Sequence, residues 1–241
     1  VETVHRIDPS RPVTSGINFI ARANVSGFAN AFDVTGYNDG GASVFLYSED
    51  RMKFPGRMFI GTEHPHTGHT RGVYRTTTRM AQTVPGHPPI PNLAREEVFP
   101  EWNVPTVDRP MIRSSYDNEY TWINSRDSWR LTLSRPYIMG EFRWSGIDYL
   151  GESGWPSRAS PSGLLDLAGF PKDQYYLYQS LWTKRPMVHL LPHWTHPGKE
   201  GVAIPVVAYS NAEEVELFQD GRSLGRQPMT LDWQIVWMVP Y

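Results

Sequence analysis

The sequence contains no cysteine among its 241 residues. Disulfides, thiol nucleophiles and thiolate metal sites are therefore excluded. A chain of this length can bury a core without such staples. The absence thus leaves the compartment open, with a lean toward the periplasm or secretion rather than the cytoplasm. An excess of one charge is also lacking: 23 Lys and Arg stand against 25 Asp and Glu, for a formal net charge of −2. With no run of like charge, no nucleic-acid partner and no anionic membrane surface is expected. No apolar run approaches the ~20 residues needed to cross a bilayer, so no membrane partner is expected either. An initiating methionine and a signal peptide are missing too. The sequence opens on Val1-Glu2-Thr3-Val4-His5-Arg6, which reads as a helix end before Asp8-Pro9, and closes on strand-like Trp237-Met238-Val239-Pro240-Tyr241. Both ends read as cuts in a longer chain, whose remainder is then an expected partner.

What the chain has in quantity is aromatic rings beside loop formers: 9 Trp and 12 Tyr among 21 Pro and 20 Gly. Trp102, Trp122, Trp144, Trp155 and Trp194 fall in loop-like sequence. Rings in loops suit a carbohydrate cleft, because an aromatic face stacks on the apolar face of a sugar. The ordinary alternative is that such rings fill a core.

Four short apolar runs end in polar residues: 12 to 18, 32 to 38, 58 to 63 and 137 to 144. Runs without alternation suit strands buried on both faces, as in a parallel sheet. Their polar ends carry Asn18, Tyr37-Asn38, Glu63 and Glu141 to Trp144. Chemistry at the C-terminal ends of parallel strands is the pattern of a (β/α)8 barrel. Helices are predicted at 42 to 53, within 116 to 134 starting near Asp117 or Ser125, and from Pro171 to Lys184. In the last of these, Pro171 and Asp173 suit the first turn and Pro186 stops the helix. From His64 to Pro100 the sequence reads as a long loop, a feature that is usually functional in a compact domain. After Pro186 the period changes to strands at 188 to 194, 202 to 210, 215 to 218 and 235 to 239. Asp220-Gly221 marks a hairpin turn. That is an all-β module of fewer strands than the roughly seven of an immunoglobulin-type sandwich, hence an incomplete one.

Three stretches carry a family resemblance. They are Gly61-Thr62-Glu63 with Thr70-Arg71-Gly72-Val73-Tyr74, Tyr116-Asp117-Asn118-Glu119-Tyr120, and Gly140-Glu141-Phe142-Arg143-Trp144-Ser145-Gly146-Ile147-Asp148-Tyr149-Leu150-Gly151-Glu152 running on into Gly163. Together they resemble the second half of the barrel in glycoside hydrolase family 2, the β-galactosidases and their relatives. The segment Val215-Glu216-Leu217-Phe218 with Asp220 to Gly225 is similar to the immunoglobulin-like domain that follows it there. The resemblance implies an α/β fold: a partial (β/α)8 TIM barrel, strands 5 to 8, over residues 1–186, then a truncated β-sandwich over 187–241. It implies a retaining O-glycosyl hydrolase acting on terminal β-galactosides, with an oligosaccharide or β-glycoside as substrate and no cofactor. β-Glucuronidase and β-mannosidase are the alternatives within the family. The Asn-x-Lys motif usual in glucuronidases does not occur in this chain.

Retaining hydrolysis needs two carboxyls roughly 5–5.5 Å apart, one acid/base and one nucleophile. Strand order places Glu63 at the family's nucleophile position. Tyr37 is expected to support it, and Trp144, Asn38, His64 and Asn18 to contact the sugar. The family's acid/base sits in an Asn-Glu pair of strand 4, expected upstream of Val1. Asn118-Glu119 belongs to a different connection, and the role is not carried onto it. Lacking that partner, the piece could also be an inactive carbohydrate-binding fragment. His64, His66 and His69 lack the spacing of a helical zinc pair, and no metal site is expected. Asp148 and Glu152 are expected to hold the loop after strand 8 by hydrogen bonds.

Overall fold

The computed structural model describes residues 1–38, 42–74, 79–80, 114–117, 119–120, 123–153 and 158–241. Trp102, Trp122, Trp155, Asn118 and most of the long loop expected before Pro100 lie outside the described residues. Among those described, no helix is long and apolar enough to cross a membrane. The chain divides into two compact units, the first holding residues 1–67, 80, 120 and 123–145, the second 68–74, 79, 114–117, 119 and 146–241 of the described residues.

The first unit is a parallel sheet with helices between its strands. After helix α1 (Glu2–Ile7) come β1 (Thr14–Ile17), α2 (Ile20–Ser26), β2 (Val34–Tyr37), α3 (Tyr47–Lys53) and β3 (Met58–Gly61). The two-residue strands β4 (Arg79–Met80) and β5 (Glu119–Tyr120) border undescribed stretches. Helix α4 (Ser125–Leu133) then leads into β6 (Ile138–Glu141). The sheet order is β1-β2-β3-β6, all pairs parallel. All four strands lie inside the apolar runs read from the sequence. Helix α3 is entered through a 3-10 turn, Ala42–Leu46. Ser125, rather than Asp117, begins α4, because the Asn124 side chain caps it by accepting from the Asp127 amide at 2.8 Å. Helix α2 was not foreseen. It is seven residues long and ends at Gly27, whose φ of 78° supplies the left-handed C-cap.

Register fixes which residues share a face. Ile17, Tyr37 and Gly61 lie side by side, as do Gly16, Gly36 and Ile60. The first face, with Phe59 and Ile138, packs on Ile20, Ala23, Val44, Tyr47 and Leu131 from the helices, forming the core. On the second face Thr14, Gly16, Met58 and Met139 are exposed.

The second unit contains a small ladder of β7 (Tyr149–Leu150) with β8 (Ala159–Ser160), helix α5 (Asp173–Trp182), and the strands β9 (Val188–Leu191), β10 (Ala203–Ser210), β11 (Glu214–Gln219), β12 (Arg222–Pro228) and β13 (Ile235–Pro240). The last five form an antiparallel sheet β13-β10-β9 and a hairpin β11-β12. Asp220 and Gly221 turn the hairpin with φ of 50° and 80°, the positive pair that a two-residue primed turn demands. Strand β10 is buried on both faces. Val207 and Tyr209 pack toward Leu177 of α5, while Val206 and Ala208 pack toward Leu217 of the hairpin. At the start of α5 the buried Lys172 ammonium spends its three donors on Asp148 (2.7 Å), the His69 carbonyl (2.8 Å) and the Pro161 carbonyl (3.0 Å). Asp148 also accepts from the Gly163 amide, and Glu152 accepts from the Tyr149 hydroxyl. Both carboxylates thus bond within their loop, as expected. His189 pairs with Asp173 at 2.6 Å and stacks on Tyr176, tying β9 to α5.

Candidate active site

At the C-terminal end of the parallel sheet the chain leaves three consecutive strands through Asn18, Asn38 and Glu63, and the structure joins their side chains. The Asn38 amide nitrogen donates one hydrogen to Glu63 Oε2 at 2.6 Å and the other to Asn18 Oδ1 at 2.7 Å. Both donors of the planar NH2 are thereby engaged, which fixes the Glu63 oxygen that accepts one of them. Glu63 and Asn38 are half-buried and Asn18 is exposed, so the carboxylate stays open to a ligand. Gly16 makes this possible. A Cβ there would lie 2.6 Å from Asn38 Oδ1, inside any real contact.

The backbone around Glu63 is pinned on both sides. The Thr62 amide donates to the Tyr37 carbonyl at 2.9 Å, and the His64 amide to the Phe142 carbonyl at 2.8 Å. Trp144 stands beside the loop that follows. It bridges to His66 in parallel fashion, and the Arg143 guanidinium ties the carbonyls of Pro65, Thr67 and Trp144 together.

Two expected site residues are turned away. Tyr37 is not brought to Glu63. It faces the helices, fully buried, stacked on Phe59, and its hydroxyl donates to Asp50 at 2.8 Å. Strand parity is the cause: Asn38, the next residue, takes the face that Glu63 shares. Burial beside Asp50 pushes the Tyr37 phenol far above its ordinary pKa. His64 does not line an entrance either. Its ring is fully buried, with Nδ1 at 3.2 Å from the Tyr47 hydroxyl. Burial holds its pKa down at about 4, so the imidazole is neutral. His69 bonds the Ser114 carbonyl at 2.9 Å. Among the described residues no group of three His, Cys, Asp or Glu could hold a metal ion.

Sequence reasoning missed the polar layer on the helix side of this sheet. Asp50 and Arg57, both side chains about 5% exposed, approach to 3.5 Å, and Asn24 bonds both of them. Glu141 at the end of β6 accepts from Ser128 at 2.9 Å and Thr132 at 2.8 Å on α4. Burial pushes its pKa up to about 7 against the opposing pull of those hydroxyls. One signal was legible: a glycine two residues before Glu63 leaves room for a side chain behind the strand.

The chain as a whole resembles known glycosidases. The chain is 40% identical to a putative β-glucuronidase of Formosa agariphila over 98% of its length and 23% of that protein's. It is 37% identical to the β-galactosidase BoGH2A of Bacteroides ovatus over its whole length and 27% of the relative's. The crystal structure of a β-glycosidase from Bacteroides vulgatus superposes on all of it with a TM-score of 0.82 at 46% identity, covering 30% of that chain. Its homologues and structural neighbours are glycoside hydrolase family 2 β-glycosidases. The chain spans about a quarter of the length of the curated relatives it matches. Its residues 201–241 also match a family model described as a domain of unknown function, DUF4982.

Proposed function

We propose that this chain is the nucleophile-bearing portion of a retaining β-glycosidase, with Glu63 attacking the anomeric carbon and Asn38 holding the attacking carboxylate. The observation that carries the reading is the Asn18–Asn38–Glu63 chain of hydrogen bonds at the C-terminal ends of β1, β2 and β3. Parallel α/β sheets assemble active sites at that edge. On this reading residues 1–186 are the second half of a (β/α)8 barrel, with β1, β2, β3 and β6 as strands 5 to 8, and residues 187–241 are part of an immunoglobulin-like sandwich. Trp144, beside the loop after Glu63, forms a wall of the sugar site, and Asn18 offers a polar contact to a hydroxyl.

Retention needs a second carboxyl roughly 5–5.5 Å from Glu63. Glu141, at the end of the neighbouring strand, is engaged by α4 and does not supply it. The family resemblance implies an acid/base in an Asn-Glu pair of strand 4, upstream of Val1. The substrate read first is a terminal β-galactoside, in keeping with the missing Asn-x-Lys motif and the galactosidase relative. A β-glucuronide is the second reading, favoured by the name of the 40% identical relative.

The test is hydrolysis of nitrophenyl β-galactoside and β-glucuronide by the full-length parent and its Glu63→Gln variant. Loss of at least about 10³-fold in kcat supports the nucleophile role, on the scale by which covalent catalysts fall when the attacking group is removed. Turnover like that of the native enzyme refutes it, and the better of the two substrates decides the sugar.

A further inference from the structure

Glu63 and His64 are neighbours in sequence and lie on opposite sides of the sheet's end. The Glu63 carboxylate is held by Asn38 over Gly16, on the exposed face. The His64 ring is on the helix side, fully buried and bonded to Tyr47. It occupies a slot that exists because residue 61 is glycine. A Cβ on Gly61 would lie 2.8 Å from His64 Nδ1 and 3.1 Å from its Cγ. Tyr47 is itself immobilised, buried and edge-on to Tyr37 and Phe59 at 4.9 and 6.2 Å between ring centres. The backbone gives the same picture. Thr62 N bonds Tyr37 O, His64 N bonds Phe142 O, and Phe142 N bonds Gly61 O at 2.7 Å, leaving Glu63 between two fixed points.

We propose that His64 is a positioning residue for Glu63: its ring, keyed beneath Gly61 and tied to Tyr47, locks the turn that presents the carboxylate to the substrate. The inference rests on the reading of Glu63 as nucleophile. A buried ring cannot touch the sugar, so its effect falls on the geometry of attack. Misplacing a reacting group by about 1 Å costs on the order of 10²-fold in rate. Because binding contacts lie on the other face, the loss should fall on kcat and spare KM.

The experiment uses the full-length parent and activated 2-deoxy-2-fluoro β-galactosyl and β-glucuronosyl probes. It reads the rate of covalent labelling and the labelled peptide, with kcat and KM measured alongside. His64→Ala and Gly61→Ala should slow labelling of Glu63 by about 10–10²-fold with KM within about twofold. His64→Asn, which can return a polar atom near the Nδ1 position, should recover part of the loss. Tyr47→Phe removes a single hydroxyl and leaves the fold intact. It should slow labelling about threefold to tenfold, the equivalent of one hydrogen bond. Native labelling rates in Tyr47→Phe, or in a folded His64→Ala, overturn the positioning role while leaving Glu63 as nucleophile. A label on any residue other than Glu63 overturns the nucleophile reading and this proposal with it.

Discussion

Replacing Glu141 by Gln should expose a pH dependence that the native chain conceals. His64 and Glu141 flank the same glycine: a Cβ on Gly61 would lie 2.8 Å from the imidazole and 3.1 Å from Glu141 Cβ. Burial lowers the His64 pKa from 6.5 to about 4. Between those values the unfolded chain binds the extra proton, so the His64 contribution to stability is present above pH 6.5 and lost as pH falls toward 4. Glu141 runs the other way. Its pKa is raised from 4.5 to about 7, so the folded chain keeps a proton that the unfolded chain has released. That contribution is complete below pH 4.5 and lost as pH rises through 7. At about 1.4 kcal/mol per pKa unit, each effect has a ceiling of about 3 kcal/mol. The two have opposite sign over nearly the same range, and in the native chain they largely cancel.

Urea unfolding followed by tryptophan fluorescence, between about pH 4 and 8, separates them. Relative to the native chain, Glu141→Gln should gain up to about 3 kcal/mol as pH rises from 4.5 to 7. His64→Asn should lose a similar amount as pH rises from 4 to 6.5, the other groups being common to both difference curves. Flat difference curves would refute the assignment of buried, neutral forms. Curves of reversed sign would mean that the two groups meet as imidazolium and carboxylate.

Three further outcomes are expected. Asn38→Ala in the full-length parent removes a hydrogen bond to a charged group worth about 1.5–3 kcal/mol, and kcat should fall by roughly 10–10²-fold in steady-state assays. Asp50→Ala leaves the Arg57 guanidinium, its side chain 5% exposed, without its carboxylate, and should cost about 3–5 kcal/mol in urea unfolding. Lys172→Met takes the buried ammonium away from Asp148 and from the His69 and Pro161 carbonyls and should destabilise the second unit by a comparable amount, read as a lower thermal midpoint.

Much of this protein could be read from its sequence because the signals are local. Each of the four parallel strands is a short apolar run bounded by polar or turn residues. Helix α5 is framed by Pro171 and Pro186, and Asp220-Gly221 specifies its hairpin by the φ values those residues tolerate. Glu63 and Asn38 stood out because they follow directly on such runs. Helix α2 escaped notice because seven residues carry too little periodicity to stand apart from their surroundings.

What the sequence alone could not decide is the side of the sheet on which each strand-end residue falls. The four apolar runs show no polar alternation in sequence, although three of their strands leave one face exposed, so the pattern carries no phase, and a shift of one residue exchanges the faces. Tyr37 and Asn38 are adjacent, as are Glu63 and His64. Register with neighbouring strands and the space left by Gly16 send Asn38 to the open face and Tyr37 into the helix-side core, while the bend just after Gly61 turns Glu63 toward Asn38 and His64 into the slot left by Gly61. The sequence determined which residues reach the strand ends. Tertiary packing decided which of them could meet a ligand, because parity and close approach are properties of paired strands and not of one strand alone.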